Sequence, residues 1–164
     1  MSLAAISKAA VVIALILGLG MVAIGSLFVS MGVNAKSEVA NALRQEQIVT
    51  SADAPLPGVL VQDAKTAQAE QDAIEAHTFG KWGPYSKMAQ SDPNRATYLN
   101  GLTLRTALNL AVVGFGVGDL AIGVGAVTIV LGLITAGFAI PVHLLILRFW
   151  RIAQAVQSTV SEGA

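Results

Sequence analysis

The chain has 164 residues, of which 54% are hydrophobic and 12% charged, with ten basic side chains balanced by ten acidic ones and no cysteine. Soluble proteins average about 25% charged residues, so this composition points to a membrane. No run of five like charges advertises nucleic acid or an anionic surface as partner, and the missing cysteines exclude disulfides, thiol catalysis, lipoprotein acylation and Cys-based metal centres.

Residues 1–8 read as a cytoplasmic N-terminus. From Ala9 to Val33 run 25 residues without a charge, enough to cross a hydrocarbon core of about 30 Å at about 1.5 Å per residue. A signal peptide competes, because Lys8 precedes the apolar run and Val33-Asn34-Ala35 resembles a cleavage site, but the run exceeds the roughly 7–15 residues of a signal core. We read residues 9–33 as an uncleaved first transmembrane helix.

Residues 34–105 form a polar segment with seven basic and eight acidic residues, a balance that fits a folded extracytoplasmic module. The first helix is expected to continue as a stalk through "NAKSEVANALRQEQ". "IVTSADAPLPGVLV" reads as extended chain, because Pro55 and Pro57 disfavour helix in the residues before them and Gly58 supplies a turn. Asp63 is an N-cap candidate for a helix over "AKTAQAEQDAIEAH" that ends at Gly80. Asp92-Pro93 starts another helix, with Asp as cap and Pro at the first position, running unbroken into the next span as a second stalk. Ile48, Leu56, Leu60, Ile74, Phe79, Trp82, Tyr98, Leu102 and Leu104 are the candidate core.

From Thr106 to Leu147 lie 42 residues with Asp119 and His143 as the only ionisable groups, roughly 63 Å as one helix and twice the bilayer. Three arrangements are open: one span plus an interfacial helix, one span plus an apolar extension outside the bilayer, or two short spans turning near Gly123-Val-Gly125. The first is favoured, because Gly137 and Pro141 interrupt the tract, giving a second transmembrane helix over 106–136. Residues 137–164 then form an amphipathic cytoplasmic tail, with Val142, Leu145, Ile146, Phe149, Ile152, Ala153 and Val156 on one face. Arg148, Trp150 and Arg151 fit a membrane-interface anchor. The predicted fold is therefore an all-α membrane protein: two transmembrane helices extended as stalks, a small helical extracytoplasmic module, and a C-terminal interfacial helix.

Within the second apolar tract, "GVGDLA" carries glycines reminiscent of a dinucleotide loop, but the surrounding strand and crossover that such a loop needs are missing. Small residues instead suit close packing of the two helices, either with each other or with neighbours: Gly114 and Gly118 lie four apart on the second span, with Ala121 and Gly125 extending the series, and Ala10, Ala14 and Gly18, followed by Gly25, lie on the first. Asp119 is the intramembrane polar residue. At mid-bilayer a carboxylate costs about 2.5–3.5 kcal/mol on insertion scales, so it needs a partner: Ser26, Ser30, Thr128, or a cation on another protein. Otherwise Asp119 lies near the outer interface and the true span is further along.

The wording "LRQEQIVTSADAPLPG", "TAQAEQDAIEAHT" and "DPNRATYLNGLTLRTAL" between two spans resembles a group of uncharacterised two-span membrane proteins of actinobacterial type, whose members often carry the label "aromatic ring-opening dioxygenase". The resemblance covers Ala9 to Leu133 and implies a topology, not an activity; the tail from Gly137 looks like an addition. A non-haem iron dioxygenase needs two His and a carboxylate converging on the metal. Here His77 falls in the loop and His143 beyond the second span, so one chain cannot assemble that site. No Ser-His-Asp set, nucleophile elbow, P-loop or zinc helix occurs.

These features predict a non-enzymatic accessory or structural protein of the cell membrane, multi-pass with its loop outside, without cofactor or nucleic acid. Its partners would be the lipid bilayer and other integral membrane subunits, or itself, met through the glycine-lined faces. Two alternatives stand: a small homo-oligomeric pore or proton path using Asp119, and a loop that binds a ligand or haem through His77, Trp82 and Tyr85.

Overall fold

A computed structural model describes residues 3–162, with side chains described for 8–154. The fold is all-α, 82% helix. Helix α1 runs Leu3–Glu46, α2 Ala64–Glu75 and α3 Arg95–Glu162; a π-helical turn, Ala76–Gly80, follows α2, and a 3-10 turn, Tyr85–Lys87, precedes α3. Both α1 and α3 are long and apolar enough to cross a membrane.

Two compact units divide the chain: residues 1–29 with 123–164, and residues 30–122. In the first, α1 and α3 run antiparallel with their backbones in contact. A Cβ placed on Gly18 would lie 2.7 Å from the Gly132 carbonyl oxygen, and one on Gly25 would lie 2.6 Å from that of Gly125. Glycine costs a water-exposed helix about 1 kcal/mol relative to alanine; here it permits an approach that no side chain allows.

In the second unit α1 ends at Glu46, followed by Gln47 in the left-handed region at φ 50°, the conformation that commonly closes a helix. The "IVTSADAPLPGVLV" segment folds back on itself: the Thr50 N–H donates to the Val59 carbonyl at 2.9 Å and the Val61 N–H to that of Ile48 at 2.8 Å. Asp63 then caps α2 through a full capping box with Thr66. The packed centre joins Ala40 and Leu43 of α1, Val61 of the folded-back segment, Ala67 and Ile74 of α2, and Leu108, Ala111 and Phe115 of α3.

Several expectations change. The apolar tract does not break at Gly137 and Pro141; α3 continues through both. A helical proline forfeits its own N–H hydrogen bond and its ring crowds the carbonyl four positions back, here that of Gly137, and α3 carries both costs without ending. A separate helix starting at residue 137 is thus replaced by a continuation of α3, and a turn at Gly123–Gly125 is likewise absent. In the module, Ile74 and Tyr98 are buried, Ile48, Leu56, Leu60, Trp82, Leu102 and Leu104 are half-buried, but Phe79 is 46% exposed. The π-helical turn rotates Phe79 outward and Thr78 inward, with the Thr78 hydroxyl bonded to the Ile74 carbonyl at 2.7 Å.

Candidate functional site

Three features outside the packed centre carry chemistry. The first is the glycine seam. Buried glycines recur every seven residues on α1 at Gly18, Gly25 and Gly32, and on α3 at Gly118, Gly125 and Gly132. In the first unit Gly18 meets Gly132 and Gly25 meets Gly125; in the second a Cβ on Gly32 would lie 2.6 Å from the Gly118 carbonyl oxygen. A seven-residue repeat keeps one face of a helix turned to its neighbour. Of the expected packing residues, Gly18, Gly25, Gly118 and Gly125 lie in this seam. Gly114 is at its edge, where an added Cβ would meet Val39 at 3.2 Å. Ala14 and Ala121 are half-buried and Ala10 is exposed, because a four-residue stripe drifts away from a seven-residue seam. Gly32 and Gly132 were legible only from the longer period.

Within each unit these glycines face the opposite helix of the same chain. Gly20, Gly116, Gly123 and Gly137 meet nothing within 4 Å.

The second feature is an ion pair between the Lys36 ammonium and the Asp119 carboxylate. Within the chain, the partner of Asp119 is thus Lys36 rather than Ser26, Ser30 or Thr128. Ser26 and Thr128 bond their own helix, to the carbonyls of Val22 and Val124, each at 2.8 Å. Lys36 lies three residues beyond the apolar run of α1, so Asp119 sits level with the end of that run. The stem of Lys36 lies across Gly118, where an added Cβ would come within 2.5 Å of it; the glycine beside Asp119 makes room for the lysine.

The third is the polar side of the module. Buried Glu70 accepts from the Ser51 N–H at 2.6 Å and its hydroxyl at 2.9 Å, clamping the folded-back segment to α2. Asp53 pairs with His77 Nε2 at 2.6 Å, and this hydrogen bond holds the Asp53 carboxyl below the usual carboxylate range. Asp63 is also lowered, chiefly by the Thr66 backbone N–H it caps. An open cleft of about 460 Å³ is lined by His77, Lys81, Trp82, Thr97, Asn100 and Leu104, among others. Tyr85 lies outside that lining, its ring tilted against that of Tyr98 at 5.6 Å and covered by the Arg95 guanidinium at 4.2 Å.

Among the described residues, no group of three or more His, Asp or Glu could hold a metal ion. Asp53 occupies Nε2 of His77, so a haem iron, which needs a ring nitrogen facing it, would be left with Nδ1. Arg148, Trp150 and Arg151 are exposed together on α3.

No family model, no curated protein and no solved structure matches the chain.

Proposed function

We propose that the chain is a non-enzymatic, two-span protein of the cell membrane that holds a small helical module outside the bilayer and serves as an accessory or structural component of a membrane assembly. The observation that carries this reading is the Lys36–Asp119 pair. With it taken as the outer boundary, the spans become Ala9–Ala35 and Leu120–Leu147, 27 and 28 residues without Asp, Glu, Lys or Arg. Each is about 40 Å long as helix, sufficient for a tilted crossing of a core about 30 Å thick. Residues 106–118 then belong to the module, in keeping with the packing of Leu108, Ala111 and Phe115 against Val61 and Ala67. This favours the arrangement with an apolar extension outside the bilayer and shifts the second span from 106–136 toward the C-terminus. Arg148, Trp150 and Arg151 then fall at the inner headgroup level, where such residues anchor a span.

An accessory role fits better than a pore. A path across the membrane needs its titratable groups within the bilayer, and on this boundary Asp119, paired with Lys36, lies at the outer edge of the spans. The seam glycines are filled by the facing helix and line no channel. With the glycines occupied, contact with other subunits falls to the module and the outer helix faces.

Purification of tagged protein from its native membrane in mild detergent is the test. Companions eluting at constant ratio are expected. A lone species that conducts ions in planar bilayers, and stops doing so with Asp119→Asn, would establish the pore instead. Orientation follows from single cysteines: Gln68→Cys reacts with an impermeant maleimide on intact cells, and Gln154→Cys only after lysis. The reverse pattern would put the module in the cytoplasm.

A further inference from the structure

Within residues 95–122, α3 has two apolar faces, and the module uses one. Leu108, Ala111 and Phe115 are covered. On the other side, Leu99, Leu110, Val113, Val117 and Leu120 are 41%, 67%, 54%, 59% and 67% exposed. Together with Thr103 and Thr106 they repeat at alternating steps of four and three residues, the spacing of a helix-pairing seam. Neither threonine interrupts the stripe. Their hydroxyls bond the carbonyls of Leu99 and Leu102 at 2.9 and 2.8 Å, so no unmet polar group is turned outward.

Lipid explains such a face only below the Lys36–Asp119 level. Leu110, Val113 and Val117 precede Asp119 by two to nine residues on the module side, and α1 at that level exposes Ser37, Glu38, Asn41 and Gln45. An apolar stripe on one helix beside a polar surface on the other marks a covered face.

We propose that a second copy of this chain covers it, α3 against α3 in parallel. The inference rests on the boundary placed at Lys36–Asp119. All copies insert with the same orientation, so an in-register pair sets each stripe residue opposite its own counterpart. A charged residue there would meet its like, and the stripe from Leu99 to Leu120 contains none. The occupant must also be a helix that stays apolar above the bilayer and then enters it, because the sequence continues the spacing through Val124, Val127, Leu131, Ile134 and Phe138. Another copy of α3 meets both requirements along its whole length.

The native chain lacks cysteine, so single cysteines in the full-length protein report directly. Leu110→Cys, Val113→Cys and Val117→Cys should give covalent dimers on mild oxidation in membranes, several-fold above Ala42→Cys on the polar side of α1. Val113→Lys should sharply reduce co-purification of two differently tagged copies. Dimer yields no higher than for Ala42→Cys, or adducts of a mass other than twice the chain, would overturn the second copy as occupant. In parallel, Ser37→Cys and Asn41→Cys should react with an impermeant maleimide on intact cells. If they react while the stripe fails to crosslink, only the pairing falls. If they do not, the boundary falls, and the stripe with it becomes a lipid-facing surface.

Discussion

Glu70 is the most consequential single side chain in the module. It is 6% exposed, and its two oxygens take both polar groups of Ser51. Glu70→Ala leaves the Ser51 N–H without its partner, a loss of about 1–3 kcal/mol when the orphaned group stays buried. The expected readout is faster amide exchange across residues 48–61, with α1 unchanged; unchanged exchange would mean water replaces the carboxylate. Asp53 ties the same segment to His77 from outside. Because its pKa is lowered in the fold, its contribution is present above the ordinary carboxylate value and is lost as pH falls through the lowered one. Nicking of this segment by an acid-active protease should therefore rise only in that acidic window, and Asp53→Asn should remove the step. A step surviving in the Asn variant would have to come from another carboxylate. Asp63 as a cap could be read from the sequence because its hydrogen bonds are made within one turn. The Glu70–Ser51 and Asp53–His77 contacts span 19 and 24 residues; the turn at Gly58 was legible, but no local pattern announces which side chains of α2 and the turn after it the reversal meets.

The helices show a similar divide between what a pattern reveals and what a partner decides. Apolar length was enough to find α1 and most of α3, and four of the seam glycines were visible as small residues. The period was not, since a small-residue stripe and a seven-residue seam share members over short distances, as Gly118 and Gly125 show while Gly114 falls outside the seam. Gly25→Ala is the sharpest test, because its Cβ would fall 2.6 Å from the Gly125 oxygen and 2.7 Å from Ile129 Cγ1. Forcing a methyl into a packed interface costs about 1–3 kcal/mol. Gly20→Ala, with nothing within 4 Å, should be neutral or slightly stabilising. Thermal unfolding of the two variants in one detergent should thus move in different directions. Equal losses would mean that glycine matters here for backbone freedom rather than for helix approach.

At the scale of the molecule, the question is where water ends, and the Lys36–Asp119 pair can answer it energetically. Hydropathy alone starts the second span at Thr106 and does not separate that reading from the proposed boundary at Asp119, because a helix buried against a module and a helix buried in lipid have the same composition. Lys36, only three residues past an apolar run, offered no sign of which residue it would meet. The side chains of the pair are 35% and 63% exposed. In contact with water such a pair contributes about 1 kcal/mol or less, whereas removing one partner from a buried pair costs about 3–5 kcal/mol. A double-mutant cycle of Lys36→Met and Asp119→Leu measures the coupling, and the swapped chain, Lys36→Asp with Asp119→Lys, checks that the two residues see each other alone. If the pair marks the outer interface, the coupling is about 1 kcal/mol or less, falls with added salt as charges in water are screened, and is largely restored by the swap. A coupling of several kcal/mol that salt leaves untouched would instead put both groups inside hydrocarbon. Residues 106–118 would then return to the bilayer, and Asp119 would again be a carboxylate maintained at a cost there.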